Sequence, residues 1–501
     1  MSLLLGYDVG SSSIKATLME AGTGKVLASA TSPKKEMEIL AKQAGWAEQL
    51  PQTWWQHVVA VTRQIKATDK VASCDIKAIG ISYQMHGLVA VDRYGQVVRP
   101  AIIWCDSRAV EIGRRAADRI GKAMCLKTLL NLPGNFTASK LAWVKANEPS
   151  LYKKIHKIML PGDYIAFRMT GQIRTTQSGL SEGILWDYRR QTVAQLVLDY
   201  YGIDADLIPD LVPTFSVQGE LTAKAARELG LAAGTPIAYR SGDQPNNALS
   251  LNVLNPGEVA ATAGTSGVVY GISATEQYDP KGRVNTFVHV NHNPRSPRYG
   301  VLLCLNGAGI LNSWLKHNVA IGMDYPKMNE LAGRVPVGSD GLVVLPYGNG
   351  AERTLENNHI GAMVTNLGFN THTRAHLLRA AQEGIVFALK YGLDIMQEHA
   401  GVNAKTIRAG HANMFLSPLF AKAFATVTGA TVELYNTDGS QGAARGAGIG
   451  AGIYRNTRQA FSGLDCKKTI RPDRKMQSAY QEAYGRWQEA LKIQLGDTRS
   501  S

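Results

Sequence analysis

Three groups of residues in this 501-residue chain have the types and spacing needed to move a phosphoryl group. The first is Asp8, at the end of a strand-like run, followed by the turn Gly10-Ser11-Ser12-Ser13 and by Lys15. A turn of such small residues lets backbone N–H groups and hydroxyls converge on an anion. A carboxylate facing that turn can hold magnesium, usually through water. The second group is Ser241-Gly242-Asp243-Gln244-Pro245-Asn246-Asn247, where Asp243 ends the strand-like run PIAYRSG. There it could take a proton from a sugar hydroxyl, or simply cap the helix that follows. The third is Gln84-Met85-His86-Gly87 together with Trp104, Asp106 and Arg108. These offer directional hydrogen bonds and a flat apolar surface to a polyhydroxylated ligand. The plainer alternatives are a satisfied core histidine at position 86 and a structural Asp106–Arg108 ion pair.

The elements that must position these groups follow one design used twice. LLLGYDVGSSSIKATLMEA, residues 3–21, reads as strand, tight turn, strand, and so does GEVAATAGTSGVVYGIS, residues 257–273, around Gly264-Thr265-Ser266-Gly267. Either turn alone is compatible with an ordinary polar hairpin. Two of them predict two half-molecules gripping one polyphosphate from opposite sides of a shared crevice, and hence ATP-dependent phosphoryl transfer, which relies on positioning and charge neutralisation.

Strand-like runs at 3–9, 14–20 and 25–31 predict an antiparallel meander. It is followed by a helix over 50–67 and a buried strand over 76–84. Shorter extended pieces follow at 88–92 and 97–104, then a mainly helical stretch from 107 to 159 broken at Leu132-Pro133-Gly134. Beyond the second hairpin come a polar stretch over 274–299, a strand over 300–307 and a helix over 309–319. A long helix over 374–399, a strand over 405–410, a helix over 415–428, a strand over 431–436 and a helix from Gly439 complete the repeat. The tail, 473–496, has helical character and should pack back on the body. A meander followed by alternating helices and strands, twice over, predicts a duplicated α/β architecture. Its halves are residues 1–248 and 249–501, with the crossing near 249–258 at Asn255-Pro256-Gly257. The string Gly446-Ala447-Gly448-Ile449-Gly450 sits within a small-residue helix, so it reads as close helix packing and not as a dinucleotide fingerprint.

Composition is that of a soluble enzyme, with 45% hydrophobic and 19% charged residues and no apolar run long enough to span a bilayer. The net charge of +14 is spread along the chain without an aromatic-interleaved basic stripe, so we expect neither a nucleic-acid partner nor a membrane. The five cysteines, Cys74, Cys105, Cys125, Cys304 and Cys466, are scattered and form no CxxC pair. They predict neither disulfide framework nor zinc site, and suit a reducing cytoplasm.

On these motifs the chain resembles the FGGY carbohydrate kinases. The resemblance runs from YDVGSSSIKA at 7–16 through QMHG at 84–87, TASKLAWVKANEP at 137–149, SGDQPNN at 241–247 and TAGTSG at 262–267 to GAARGAGIGAG at 442–452. It implies two actin-like ATPase (ribonuclease H-like) domains around a central cleft. QMHG points to the branch that phosphorylates D-xylulose at O5 with magnesium–ATP. By that match Asp243 is the general base, Asp8 orients magnesium–ATP with Asp243 beside the metal, and Met85 and His86 line the sugar pocket with Trp104 and Asp106. Gly10, Ser11, Ser12, Ser13 and Lys15 on one side, and Gly264, Thr265 and Ser266 on the other, would meet phosphate. RAGHANMFL, 408–416, stands at the adenosine side, implicating Gly410 and Asn413, although Ala409 and His411 interrupt the usual glycine run. A sister kinase for ribulose, gluconate or a deoxyketose is one alternative, and a non-catalytic sugar sensor on the same fold is another. The sequence carries no reading of oligomeric state, and the resemblance admits a homodimer.

Overall fold

The computed structural model describes residues 2–68 and 75–496, and Cys74 lies outside them. The chain divides into two compact units. The first holds the residues up to Asn252, then Phe287–Tyr299 and Thr437–Leu464; the second holds Val253–Thr286, Gly300–Asn436 and the residues from Asp465 on. The chain therefore leaves the first unit at Asn252 and returns to it twice.

In the first unit a five-stranded sheet runs in the order Ile237–Gly242, Ile76–Tyr83, Leu3–Val9, Ile14–Glu20, Val26–Ser32. The last three form the expected meander, and Leu3–Val9 pairs in parallel with Ile76–Tyr83. Helix Pro51–Thr68 buries Trp54, Val58, Val61 and Ile65, spaced three or four apart, against the meander. Another helix on this sheet arrives from far along the chain: Gly439–Gly450 lies so close that a Cβ on Gly6 would sit 2.0 Å from the Ser440 carbonyl oxygen. One on Gly80 would sit 2.0 Å from that of Ala443. The helix is small-sided too, with Gly446 against the Tyr239 ring and Gly448 against Leu4. The glycine-rich string is thus a packing surface.

The second unit repeats the plan. Its seven-stranded sheet runs Asn285–Val288, Tyr299–Leu305, Gly267–Ser273, Glu258–Ala263, Thr406–Gly410, Thr431–Tyr435, Cys466–Ile470. Glu258–Ala263 is antiparallel to its hairpin partner and parallel to Thr406–Gly410, as Leu3–Val9 is to its own neighbours. The long helix Arg374–Ala400 carries much of this core. Helix Gln477–Gln494 packs back through Trp487, whose indole donates to the Val344 carbonyl at 3.1 Å.

The stretch 107–159 holds helices Val110–Ile120, Lys122–Leu129, Thr137–Asn147 and Pro149–Tyr152. The stretch 274–299 is less polar in place than in composition. Strand Asn285–Val288 is buried throughout, and Val288 exchanges hydrogen bonds with Ser178 and Ser181, both at 3.0 Å. Phe287, Val288 and Val290 supply the apolar side chains that drive this burial. No helix of the described residues is long and apolar enough to cross a membrane.

Candidate active site

In the first unit the register brings Asp8, Ser82 and Ser241 into one row across three strands. All three strands run parallel, and their carboxyl ends are where ligands bind in open α/β sheets. Two residues past Ser241, Asp243 opens helix Asp243–Ser250. The helix of the capping alternative therefore exists, with Gly242 as its cap and Asp243 in its first turn. Asp243 is half-buried, and burial first, then the charge of Asp8, pushes its carboxyl up to about 7. Asp8 accepts a hydrogen bond from Ser82 Oγ at 2.9 Å; burial raises its pKa and this bond opposes the rise. The helix Gly439–Gly450 starts against it, where a Cβ on Gly439 would lie 2.4 Å from Asp8 Oδ2.

Two carboxylates this close in influence fit a divalent cation, which would relieve their repulsion. No group of three or more metal-ligating side chains stands ready among the described residues. The remaining ligands would be water and phosphate oxygens, as magnesium prefers.

The turn after Asp8 is closed by Gly10 N–H donating to the Ser13 carbonyl at 3.1 Å. It is pinned from outside by Met37 N–H on the Ser12 carbonyl at 2.8 Å and Gln49 Nε2 on the Ser11 carbonyl at 2.7 Å. Lys15 is engaged: its ammonium contacts Asp438 Oδ2 at 2.5 Å. Burial pushes the Asp438 carboxyl up, but Lys15, Ser440 Oγ and the Gln441 N–H together hold the group below the usual range.

Among the residues expected to meet the sugar, Trp104 is 51% exposed and its indole donates to Ser11 Oγ at 3.2 Å, which puts an open aromatic face beside the first turn. Met85 is buried against Gly242, where a Cβ would come 2.5 Å from Met85 Cγ. His86 has φ 61, a left-handed conformation that costs a non-glycine residue about 1–2 kcal/mol. Its Nδ1 pairs with the Glu182 carbonyl at 2.8 Å, and its ring meets Phe136 edge-on at 4.8 Å between centroids and Phe287 at 5.5 Å.

Asp106 is placed differently from Trp104. It is 0% exposed, and its oxygens accept from the Ala47 N–H at 2.6 Å, the Arg108 N–H at 2.9 Å and the Arg108 guanidinium at 2.7–2.9 Å. Arg108 in turn meets Glu48 at 2.7 Å and lies over the Trp46 ring at 3.8 Å. The ion-pair reading of Asp106 and Arg108 is the one the geometry displays.

Sequence reasoning missed Glu182. It is buried next to Met85 and Gly242, and its carboxyl is raised well above the ordinary range by burial and then by Asp243. Nothing in SGLSEG marks it, because only the fold carries it under the QMHG turn.

In the second unit the turn Gly264-Thr265-Ser266 is held by the start of helix Gly309–Asn318. Gly309 N–H donates to the Gly264 carbonyl at 2.9 Å and Ile310 N–H to the Thr265 carbonyl at 3.0 Å. Asn413, at φ 53, opens a short turn whose side-chain Nδ2 would be 3.4 Å from a Cβ on Gly264. These residues line a cavity of about 1680 Å³ together with Gly309, Ile310, Ser313 and Met414. That exceeds the ~300–1,000 Å³ of an ordinary small-ligand pocket. Gly410 and Ser266 do not line it; Gly410 shapes the turn, its carbonyl accepting from Ala412 N–H at 2.8 Å. Gly309, Ile310 and Ser313 escaped the sequence reading because GAGILNS carries only a helix pattern. Glu352 braces this region from beneath, accepting from the Asn306 N–H at 2.9 Å; burial pushes its carboxyl up to about 7.

Comparison with known proteins bears on the family and the fold. Residues 3–250 match the model for the N-terminal domain of the FGGY family of carbohydrate kinases, and residues 259–453 match that for its C-terminal domain. The chain is 31% identical over 465 residues to a xylulose kinase from Bacillus subtilis, covering 92% of this chain and 90% of the relative. It is similar to the crystal structure of xylulose kinase from Rhodospirillum rubrum, with TM-score 0.87, 26% identity and 99% coverage of both chains. A gluconate kinase from Lactobacillus acidophilus shares the fold at TM-score 0.89 with 20% identity, covering 99% of this chain and 98% of its own.

Proposed function

We infer the reaction from one premise: the chain belongs to the FGGY family of carbohydrate kinases. It transfers the terminal phosphoryl group of ATP to a sugar hydroxyl, and the sugar is D-xylulose, giving D-xylulose 5-phosphate. Two things support this choice of sugar: the Met85-His86 turn beside Asp243, and the likeness to proteins described as xylulose kinases.

The observation that carries the reaction is Asp243 at the head of its helix, half-buried and pushed up to about 7 beside Asp8. A base poised near the working pH takes a proton well and still exists in its ionised form. Asp243 removes the proton from the sugar O5 as that oxygen attacks the phosphoryl group, and Met85, His86 and the exposed Trp104 face orient the sugar. Gly264, Thr265 and Asn413 hold the nucleotide through uncharged backbone and side-chain donors. Asp8 and Asp243 would hold a magnesium ion, which would supply charge neutralisation on the phosphate oxygens. Lys15 keeps Asp438 ionised at the start of helix Gly439–Gly450 and acts on phosphate only secondarily.

The test is a panel of ketoses and polyols offered with ATP and read by ADP release. D-Xylulose is expected to give the highest kcat/KM. Preference for ribulose, gluconate or a polyol would reassign the substrate, and sugar-independent ATP turnover would overturn the kinase reading.

A further inference from the structure

The motif TASKLAWVKANEP has no part in the reaction described so far, yet the structure puts its start around the sugar-side turn. Lys140 is 0% exposed, and its ammonium donates to the His86 carbonyl at 2.8 Å and to the Ile103 carbonyl at 3.0 Å. One turn earlier, Thr137 Oγ1 donates to the Gly87 carbonyl at 3.2 Å. Phe136, at the cap of the same helix, sets its ring edge-on to His86. Three residues of one helix start thus seize two consecutive carbonyls and the side chain of a single turn.

We propose that Lys140 is a positioning residue for the sugar pocket, its buried ammonium clamping the His86 carbonyl so that His86 is held left-handed and presented to the acceptor sugar. The proposal rests on the sugar-kinase reading and extends it to a residue that does not touch substrate. Placing an ammonium where water does not reach is costly. Both bonds it makes run to backbone carbonyls, one of them on the turn that carries Met85 and His86. The second, to Ile103, ties the same ammonium to the residue before Trp104. One side chain thereby sets the spacing between the histidine and the indole, the two groups best placed to orient a polyol. Thr137 and Phe136 hold the Gly87 carbonyl and the His86 ring, and Lys140 holds the His86 carbonyl, so losing the ammonium loosens His86 while the rest of the turn stays in place.

The test is K140M, which keeps the length and apolar stem and removes the donors. The unsubstituted chain is first assayed on the sugar panel; inactivity towards every sugar sinks the kinase reading. With an active parent, K140M is expected to raise KM for the sugar at least ~10-fold, leaving KM for ATP within ~2-fold and kcat within a few-fold. Equal loss for both substrates, or an unchanged sugar KM, overturns the clamp while the kinase reading stands. If K140M does not fold, T137V carries the test. It should raise the sugar KM ~3-fold with ATP unaffected, and an unchanged sugar KM overturns the proposal.

Discussion

The two tight turns, residues 10–13 and 264–266, occupy equivalent places in two sheets of the same plan, and their surroundings differ in charge. Around the first lie Asp8, Asp243, Asp438 and Lys15, with Glu182 buried behind Gly242. The position matching Asp8, two residues before the glycine, is Thr262 in the second hairpin. There the neighbours are Gly309, Ile310 and Asn413, all uncharged. On the function proposed here, one copy of the fold would shift protons and hold a cation, and the other would cradle an anion with neutral donors. A duplicated scaffold keeps its register while the side chains at strand ends decide the chemistry.

Substitutions on the two sides should therefore fail differently. The largest expected effect is from Asp243→Asn, which should lower kcat by ~10²–10⁴-fold. ATP affinity, measured by calorimetry, should stay near that of the parent, and a comparable loss of nucleotide binding would erase the division between the copies. Next, Asp8→Asn should cost ~10–100-fold in rate, the range for partners that orient a metal. It should also move the acid limb of the pH–rate profile. In kcat/KM, which reports the free enzyme, that limb is expected near 7 in the parent, because Asp243 must be ionised to act and burial, then the negative charge of Asp8, push its carboxyl up. Removing that charge should shift the limb to lower pH, and a limb that does not move would show the two carboxylates to be uncoupled.

On the neutral side, Thr265→Val should raise KM for ATP ~2–10-fold, the worth of one hydrogen bond, with sugar KM unchanged. The smallest effect concerns stability. Asp243 binds its proton more tightly in the folded chain than in the unfolded one, so folding stability should fall as pH rises from about 4 to about 7. Asp243→Asn should flatten that slope in chemical denaturation and be the more stable protein at pH 8. An unchanged slope would assign the raised carboxyl to another group.

Much of this was legible because strands announce themselves locally. Leu3–Val9, Ile14–Glu20 and Gly267–Ser273 lie where alternation and turn residues put them. Asp8 stands out at a strand end before a small-residue turn, whereas the segment around Asp243 leaves base and cap both open, and only the family resemblance favours the base. What escaped depends on partners distant in sequence. The capture of Lys15 by Asp438 spans 423 positions, and no local pattern ties a lysine after one hairpin to an aspartate before a late helix. Lys140 sits in a stretch that reads only as mainly helical, and Glu182 in one without an assigned element, since burial beneath the QMHG turn is a property of packing. Asp106 shows the reverse: its residue type suited a ligand contact, and only its bonds to Ala47 and Arg108 reveal a brace.

The late helix Gly439–Gly450 also bears on how the molecule is made. Its carbonyls fill the hollows over Gly6 and Gly80, so the opening sheet lacks this cover until residues 439–450 have been made. Everything between Gly80 and Gly439 must be made before the first-made strands acquire this cover. A fragment stopping at residue 248 would expose that strip of glycines and small apolar side chains, and should collect in inclusion bodies unless the missing helix is supplied as a separate peptide.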